Sequence, residues 1–188
     1  LRSRKELDYS PTPRGLYTIA AIRQLNNFGF TPKKPVVMAW SAGVEELVQM
    51  TPEMRSNLIV GTNYYYSVDN PENKAFVAAY KAKNDGVPPG YAPGAAYGMM
   101  KVVLKAMKDS GKTDPASVAK AMEGMNGKTI IGDYHVNDWN HQTVRPYFVL
   151  QTKPESKMKD KYDFADIVDV SGTEQPKNMN ECKDMGGF

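Results

Sequence analysis

The sequence contains only one cysteine, Cys182, among its 188 residues. No intrachain disulfide can therefore form, and no signature of a cysteine enzyme surrounds the thiol, so we do not predict a nucleophile there. No apolar run approaches the roughly 20 residues that a membrane-spanning helix needs. The net charge is only +3, and lysines and acids are interspersed without an arginine-rich stripe. This balance argues against nucleic acid as a partner.

Chemical motifs are also scarce. The histidines, His135 and His141, lie near Asp133 and Asp138, but their spacing matches no metal-binding motif, and a polar turn is the simpler interpretation. Residues 90–98, GYAPGAAYG, are rich in glycine yet lack both the GxGxxG pattern and the lysine of a P-loop. We therefore predict no metal, no cofactor and no catalytic residue.

Helix and strand patterns alternate through the first 60 residues. Apolar residues three and four apart predict a helix over 15–28. Apolar runs predict buried strands at 35–40 and 58–60, and Ser41 can cap a helix over 42–50. This alternation is typical of a layered α/β fold with parallel strands.

The middle of the chain is helical by pattern. Asn70-Pro71 and Asp114-Pro115 each place a capping side chain before a proline at the first helical position, and a third helix is predicted over 92–110. No strand pattern interrupts 71–125. We therefore expect the sheet on which these helices pack to lie outside this chain.

The last third turns to β structure. Residues 129–136 and 144–152 flank a turn-rich stretch at 137–141, which predicts a hairpin. Residues 166–170 are expected to form a short edge strand, and residues after 171 a loosely attached tail.

Residues 64–68, YYYSV, are too polar for a core strand and too aromatic for an ordinary loop. We interpret them as a crossing between two lobes, in which Tyr64, Tyr65 and Tyr66 line or stiffen a hinge rather than fill a core. Ser67 completes the predicted hinge.

Five polar and aromatic residues fall in turns that lead into helices, where N–H groups suit a carboxylate or amide oxygen. Aromatic side chains there add an apolar wall with a polar edge. Ligands of layered α/β domains bind at the carboxyl ends of strands, where the segment 35–40 ends. For each residue, a role as a helix cap or a core aromatic remains the alternative. The predicted ligand-binding residues are Ser10, Thr12, Trp40, Ser41 and Tyr91.

Five segments together resemble the type I periplasmic substrate-binding proteins of ABC transporters, of the leucine/isoleucine/valine or amide type. The segments follow the family's order and are 15–30, 35–43, 57–83, 88–98 and 131–153. The resemblance implies an α/β fold of two Rossmann-like lobes that close on a ligand in the cleft between them. It covers only a C-terminal half of the family's chain, so a missing N-terminal half of the same protein is an implied partner.

The resemblance also implies a division of the chain. The second lobe would hold 1–65 and the return crossing and hairpin at 126–153. The hinge would be 66–70, the first-lobe helices 71–125, and 154–188 a surface loop and tail. Leucine-type members carry an acidic residue near the position of Ser41, so a serine there favours a neutral, amide or aromatic ligand.

The implied function is that of a non-enzymatic, periplasmic solute-binding component that hands a small amino-acid-like, amide or aromatic ligand to an ABC permease. The chain starts at Leu1 without a signal peptide, so we expect an export signal to have been removed. One alternative is a ligand-sensing domain of a receptor or regulator on the same fold. A second is a small α/β hydrolase using His135 or His141, although neither G-x-S-x-G nor H-E-x-x-H is present.

Overall fold

The computed structural model describes residues 13–39 and 42–172, with side chains from residue 17 onward in the first helix. The fold is α/β, as the sequence predicts. The α-helices are α1 (Pro13–Asn27), α2 (Val44–Leu47), α3 (Pro71–Lys83), α4 (Tyr91–Ser110) and α5 (Pro115–Met122), and a 3₁₀ turn spans Glu155–Lys157. The strands are β1 (Val36–Met38), β2 (Leu58–Thr62), β3 (Asn126–Thr129), β4 (Gly132–Val136), β5 (Thr143–Val144), β6 (Tyr147–Thr152) and β7 (Ala165–Ser171).

The described chain divides into two compact units. The first holds the residues up to Thr62 together with Val149–Asp169, and the second holds Asn63–Phe148 together with the described residues after Asp169. The chain thus passes from one unit to the other after Thr62, after Phe148 and after Asp169.

The first unit is built on a four-stranded sheet in the order β1-β2-β6-β7. Strands β1 and β2 are parallel, with Val36 opposite Leu58 and Met38 opposite Val60, as the alternating pattern predicts. Leu58, Val60 and Thr62 are buried, because alternate side chains of a strand share one face. The predicted edge strand is also confirmed, since β7 ends the sheet order.

Helix α1 packs into this unit through Ile19 and Ile22, which are buried at a spacing of three residues. Gly29 ends the segment with a φ of +68°, the left-handed conformation that glycine adopts most readily. The predicted apolar face is shorter than expected, since Phe28 lies beyond the helix and is 87% exposed. The helix predicted over 42–50 is also shorter and spans only Val44–Leu47.

The second unit contains α3, α4, α5 and an antiparallel sheet in the order β3-β4-β5. Val102 of α4 packs with Tyr134 and Val136 of β4 in one buried cluster, which Met122 and Met125 extend. Gly98 lets α4 approach the side chain of Ile131. The expectation that these helices find no sheet within this chain is therefore wrong.

The strands form only part of the hairpin that was predicted between residues 129–136 and 144–152. Strand β3 pairs with β4 through a tight turn at Ile130 and Ile131, and β4 then pairs with the two-residue β5. Strand β6 leaves this sheet and joins the four-stranded one. Residues 126–148 accordingly belong to the same compact unit as the helices, whereas the sequence-based division separates them.

Candidate functional site

The predicted crossing begins with a fully buried tyrosine. Tyr64 is 1% exposed, and its ring lies edge-on to Phe76 with centroids 6.3 Å apart. Its ring also lies against Gly94 of α4 so closely that a Cβ at position 94 would overlap it. Burial raises the pKa of Tyr64 well above its usual range, so the phenol stays protonated. Tyr64 therefore fills a core, contrary to the expectation that it would line a hinge.

Asn73 of α3 connects the crossing to that helix. It is wholly buried and accepts the Tyr64 hydroxyl at Oδ1, 2.8 Å away. Its Nδ2 donates to the carbonyl oxygens of Tyr66, at 2.9 Å, and Val68, at 2.8 Å. One side chain thus satisfies a hydroxyl and two backbone carbonyls, and fixes the path of residues 64–68.

Asn70 connects the crossing to the three-stranded sheet β3-β4-β5, the small sheet. Its Oδ1 accepts the backbone N–H of Asn73 at 2.7 Å, which caps α3 as predicted, with Pro71 at the first helical position. Its Nδ2 donates to the carbonyl oxygen of Ile130 in the β3–β4 turn at 2.9 Å. The helix start and the turn are therefore held by the same amide.

The predicted hinge residues differ in burial. Tyr65 is 2% exposed, and its ring centroid lies 4.9 Å from that of Tyr66. Tyr66 is half-buried, with the Lys81 ammonium 5.6 Å from its centroid, within cation–π range. Ser67 is exposed. The aromatic pair thus stands at the point where the chain enters the second unit.

A buried amide lies at the first residue of that unit. Asn63 is 6% exposed, and its Oδ1 has no hydrogen-bond partner among the described residues. Its backbone carbonyl accepts Arg145 Nη1 at 3.1 Å. Burial lowers the pKa of Arg145, and the neighbouring Tyr147 phenol raises it by a smaller amount. The Arg145 guanidinium is therefore bonded to the backbone of Asn63, while the side-chain oxygen of Asn63 is buried.

Tyr91, the one predicted ligand-binding residue that the structure describes, opens α4. It follows Gly90, whose extended backbone forms the N-cap, and is half-buried. The N-terminal turn of α4 carries no capping side chain, so its N–H groups retain the partial positive charge of a helix start. Ser10, Thr12, Trp40 and Ser41 lie outside the described residues.

An acidic residue follows closely on Trp40 and Ser41 in the sequence. Glu45 lies in the first turn of α2, and its Oε2 is buried without a hydrogen-bond partner in the described part of the chain. Burial raises the pKa of Glu45, its own backbone hydrogen bond lowers it, and the adjacent Glu46 raises it further. Glu46 instead accepts the Gly43 N–H at Oε2, 2.7 Å away. The carboxylate of Glu45 is therefore partly buried, and this burial disfavours its ionised form.

Sequence reasoning did not predict Glu45, Asn63 or Arg145 as site candidates. The one signal available for Glu45 is its place just after Trp40 and Ser41, where an acidic residue also suits the start of a helix. Asn63 and Arg145 are 82 residues apart, and no local pattern indicates that they meet.

The histidines form polar contacts at the surface of the small sheet. His135 Nδ1 lies 2.9 Å from Asn126 Oδ1, and His141 Nε2 lies 3.3 Å from Glu123 Oε1. Within residues 13–39 and 42–172, no group of three His, Cys, Asp or Glu side chains could hold a metal ion. Over the same residues, none of the helices has the length and apolar character needed to cross a membrane.

Comparison with known proteins identifies a family. A model of periplasmic binding proteins matches residues 15–159. Among curated relatives, Leu/Ile/Val-binding protein homolog 4 of Brucella melitensis is 28% identical over 134 residues, which are 68% of this chain and 32% of that protein. The leucine-, isoleucine-, valine-, threonine-, and alanine-binding protein of Pseudomonas aeruginosa is 30% identical over 89 residues, covering 40% of this chain and 24% of its own.

Solved structures agree with this match. An amino acid ABC transporter substrate-binding protein from Pseudomonas fluorescens Pf-5 superposes with a TM-score of 0.78 at 30% identity, covering 84% of this chain and 42% of that one. A solute-binding protein of an ABC transporter from Rhodopseudomonas palustris BisB5, in complex with 3,4-dihydroxybenzoic acid, gives a TM-score of 0.67 at 22% identity, covering 85% and 42%. The chain therefore spans about a third of the length of its first curated relative and about two fifths of these structures.

Proposed function

Because this chain belongs to the periplasmic binding protein family, we propose that it forms part of the solute-binding component of an ABC importer. The family match over residues 15–159 carries the proposal. The likeness to an amino acid ABC transporter substrate-binding protein, at 30% identity and a TM-score of 0.78, supports it. Members of this family bind substrates, and we propose no chemical step and no cofactor for this one.

The proposed solute is a small amino-acid-like, amide or aromatic molecule. Tyr91 and Trp40 would contact its apolar or aromatic part, and the hydroxyl groups of Ser10, Thr12 and Ser41 would bind its polar groups. The names of the relatives favour this range, since they include a leucine-binding protein and a complex with an aromatic acid.

The proposed mechanism is closure of the family's two lobes around the solute. A solute that contacts both lobes shifts the population toward the closed form, which a membrane permease then recognises in the periplasm. Tyr65, Tyr66 and Ser67 are the proposed hinge. The bonds from Asn73 to the Tyr66 and Val68 carbonyls would tie this segment to α3, so that the two move together on closure.

Calorimetric titration of the protein purified from its native source tests the proposal. The panel is leucine, butyramide and 3,4-dihydroxybenzoic acid, one for each proposed class. We expect one class to bind saturably, and the Tyr91→Ala variant to lose at least about tenfold in affinity, which corresponds to about 1.4 kcal/mol. Tyr97→Ala, on the same helix and 40% exposed, is the matched control and should bind as the unaltered protein does. Turnover of a panel compound, or no binding of any of them, would contradict the proposal.

A further inference from the structure

A cavity of about 650 Å³ lies in the first unit, lined by none of the residues predicted to bind the solute. Its walls come from the segments that lead into β1 and β2 and from the segment that follows β6. It therefore lies at the amino ends of the two parallel strands, opposite to the end at which layered α/β domains bind their main ligand. Three prolines, Pro32, Pro52 and Pro154, give it apolar walls.

Hydrogen bonds hold the walls of the cavity in place. Thr152 Oγ1 accepts the Leu58 N–H at 3.1 Å and donates to the Arg55 carbonyl oxygen at 2.5 Å. Asn57 has a φ of +58°, and its Nδ2 donates to the carbonyl oxygen of Thr31 at 3.1 Å. Thr31 is wholly buried. These bonds join the segments that form the walls.

The cations nearest to the cavity already have protein partners. Lys153 Nζ lies 3.0 Å from Asp163 and 2.5 Å from Asp166, and its side chain is 8% exposed. Arg55 donates to two backbone carbonyls through Nη1 and stacks on the Phe164 ring at 4.7 Å. Lys153 is therefore already paired with two acids that do not line the cavity.

Two carboxylates line the cavity, those of Glu53 and Glu155. Both are exposed, and in the described part of the chain neither forms an ion pair. Arg55 attracts both, but only over a distance longer than that of an ion pair. Hydrogen bonds from the Thr51 side chain and from the backbone of Glu53 lower the pKa of Glu53, so it is ionised at neutral pH. The cavity therefore has an excess of negative charge beside apolar walls.

We propose that this cavity binds an organic ammonium ion, a primary amine on a short aliphatic body. The prolines would contact the aliphatic part, and Glu53 and Glu155 would pair with the ammonium group. An inorganic cation suits the cavity less well, because a metal site needs several converging ligands and the described residues contain no such group. This site is independent of the proposed solute site, and would let the protein respond to amines whatever its transported solute.

The test is titration of the 188-residue chain with n-butylammonium chloride, followed by NMR at the backbone amides of Ser56, Asn57 and Thr152. Sodium butyrate, n-butanol and sodium chloride at equal concentrations are the matched probes. The variants are Glu53→Gln, Glu155→Gln and the double variant. Asp85→Asn, an exposed acid in the second unit with a φ of +50°, which asparagine tolerates, is the control.

We expect saturable shifts at these amides with n-butylammonium alone. Each single variant should weaken binding about threefold and the double variant about tenfold, the size expected for exposed charge pairs. Asp85→Asn should change affinity less than about twofold, because Asp85 does not line the cavity. If sodium chloride shifts these amides as much as n-butylammonium chloride does, the shifts report only screening of charges by salt, and the proposal is overturned. Binding that the double variant leaves unchanged, or shifts confined to other amides, would overturn it as well.

Discussion

The Tyr64 hydroxyl donates to Asn73 Oδ1 at 2.8 Å, and both side chains are almost completely buried. This bond joins the segment entering the second unit to the first turn of α3. Asn73 Nδ2 also holds the Tyr66 and Val68 carbonyls, so the two residues fix the conformation of the proposed hinge segment.

Removing the hydroxyl in Tyr64→Phe should lower the free energy of unfolding by about 1–2 kcal/mol, because a buried amide oxygen loses its donor. Urea unfolding followed by circular dichroism measures the change. Tyr80→Phe, at a half-buried tyrosine of α3, is the matched control and should change stability by less than about 0.5 kcal/mol. Equal effects of the two substitutions would contradict the assignment.

Asn73→Asp should be much more damaging and strongly dependent on pH. The new carboxylate would face the carbonyls of Tyr66 and Val68 without a proton to donate, so burial would raise its pKa. A group whose pKa is raised on folding loses stability as the pH rises, so the variant should be most stable at acid pH. We expect a loss of at least about 3 kcal/mol at pH 7, from urea titrations at pH 4 and pH 7. A loss that does not change with pH would contradict this account.

Gly94→Ala tests the approach of α4 to Tyr64. Alanine is the better helix former by about 1 kcal/mol, so a substitution without steric conflict would stabilise the helix. At position 94 the added Cβ overlaps the Tyr64 ring, and we expect a net loss of about 1–3 kcal/mol in urea unfolding. Gly98→Ala, whose Cβ would lie 3.2 Å from Ile131 Cδ1, is the milder control. A more stable Gly94→Ala protein would show that the contact is looser than described.

Glu45→Gln should raise the melting temperature at pH 7. Burial raises the pKa of Glu45, so the native state holds its proton more tightly than the unfolded state does, and stability falls as the pH rises through and above about 4.5. The amide removes this cost, and the difference should disappear at pH 3.5, where the carboxyl is protonated in both states. Thermal melts at the two pH values measure it. Glu53→Gln is the control, because the pKa of Glu53 is lowered and no gain is expected.

The sequence predicted the elements that depend on local contacts. Asn70 and Asp114 cap α3 and α5 as expected, with their side chains accepting the N–H groups of Asn73 and Ser117. Both signals lie within four residues of the bonds they make, so no tertiary information is needed. Strands β1 and β2 were likewise predicted locally, each from an apolar run in its own sequence.

The errors concern contacts between distant residues. The β3–β4 turn was missed because Ile130 and Ile131 are apolar and buried, where turns usually carry polar residues or glycine. Strand β6 continues the alternation of β4, so its pattern cannot tell which sheet it joins. Tyr64 was assigned to a hinge because residues 64–68 are too polar for a typical core strand, whereas Asn73, nine residues later, supplies a buried partner for its hydroxyl.

The 188-residue chain alone should bind the proposed solute weakly or not at all, because it spans only 42% of the similar amino-acid-binding structure. Calorimetry of this chain should show no saturable heat at solute concentrations that saturate the protein from its native source. The n-butylammonium site lies wholly within the first unit and should persist in the same sample. Tight solute binding by the chain alone would contradict this expectation.

The most direct test of the central claim is calorimetric titration of the protein from its native source with leucine, butyramide and 3,4-dihydroxybenzoic acid. The account predicts that at least one binds saturably, with one molecule per chain, and is recovered chemically unchanged. Absence of binding by all three, or recovery of an altered compound, would contradict a solute-binding role.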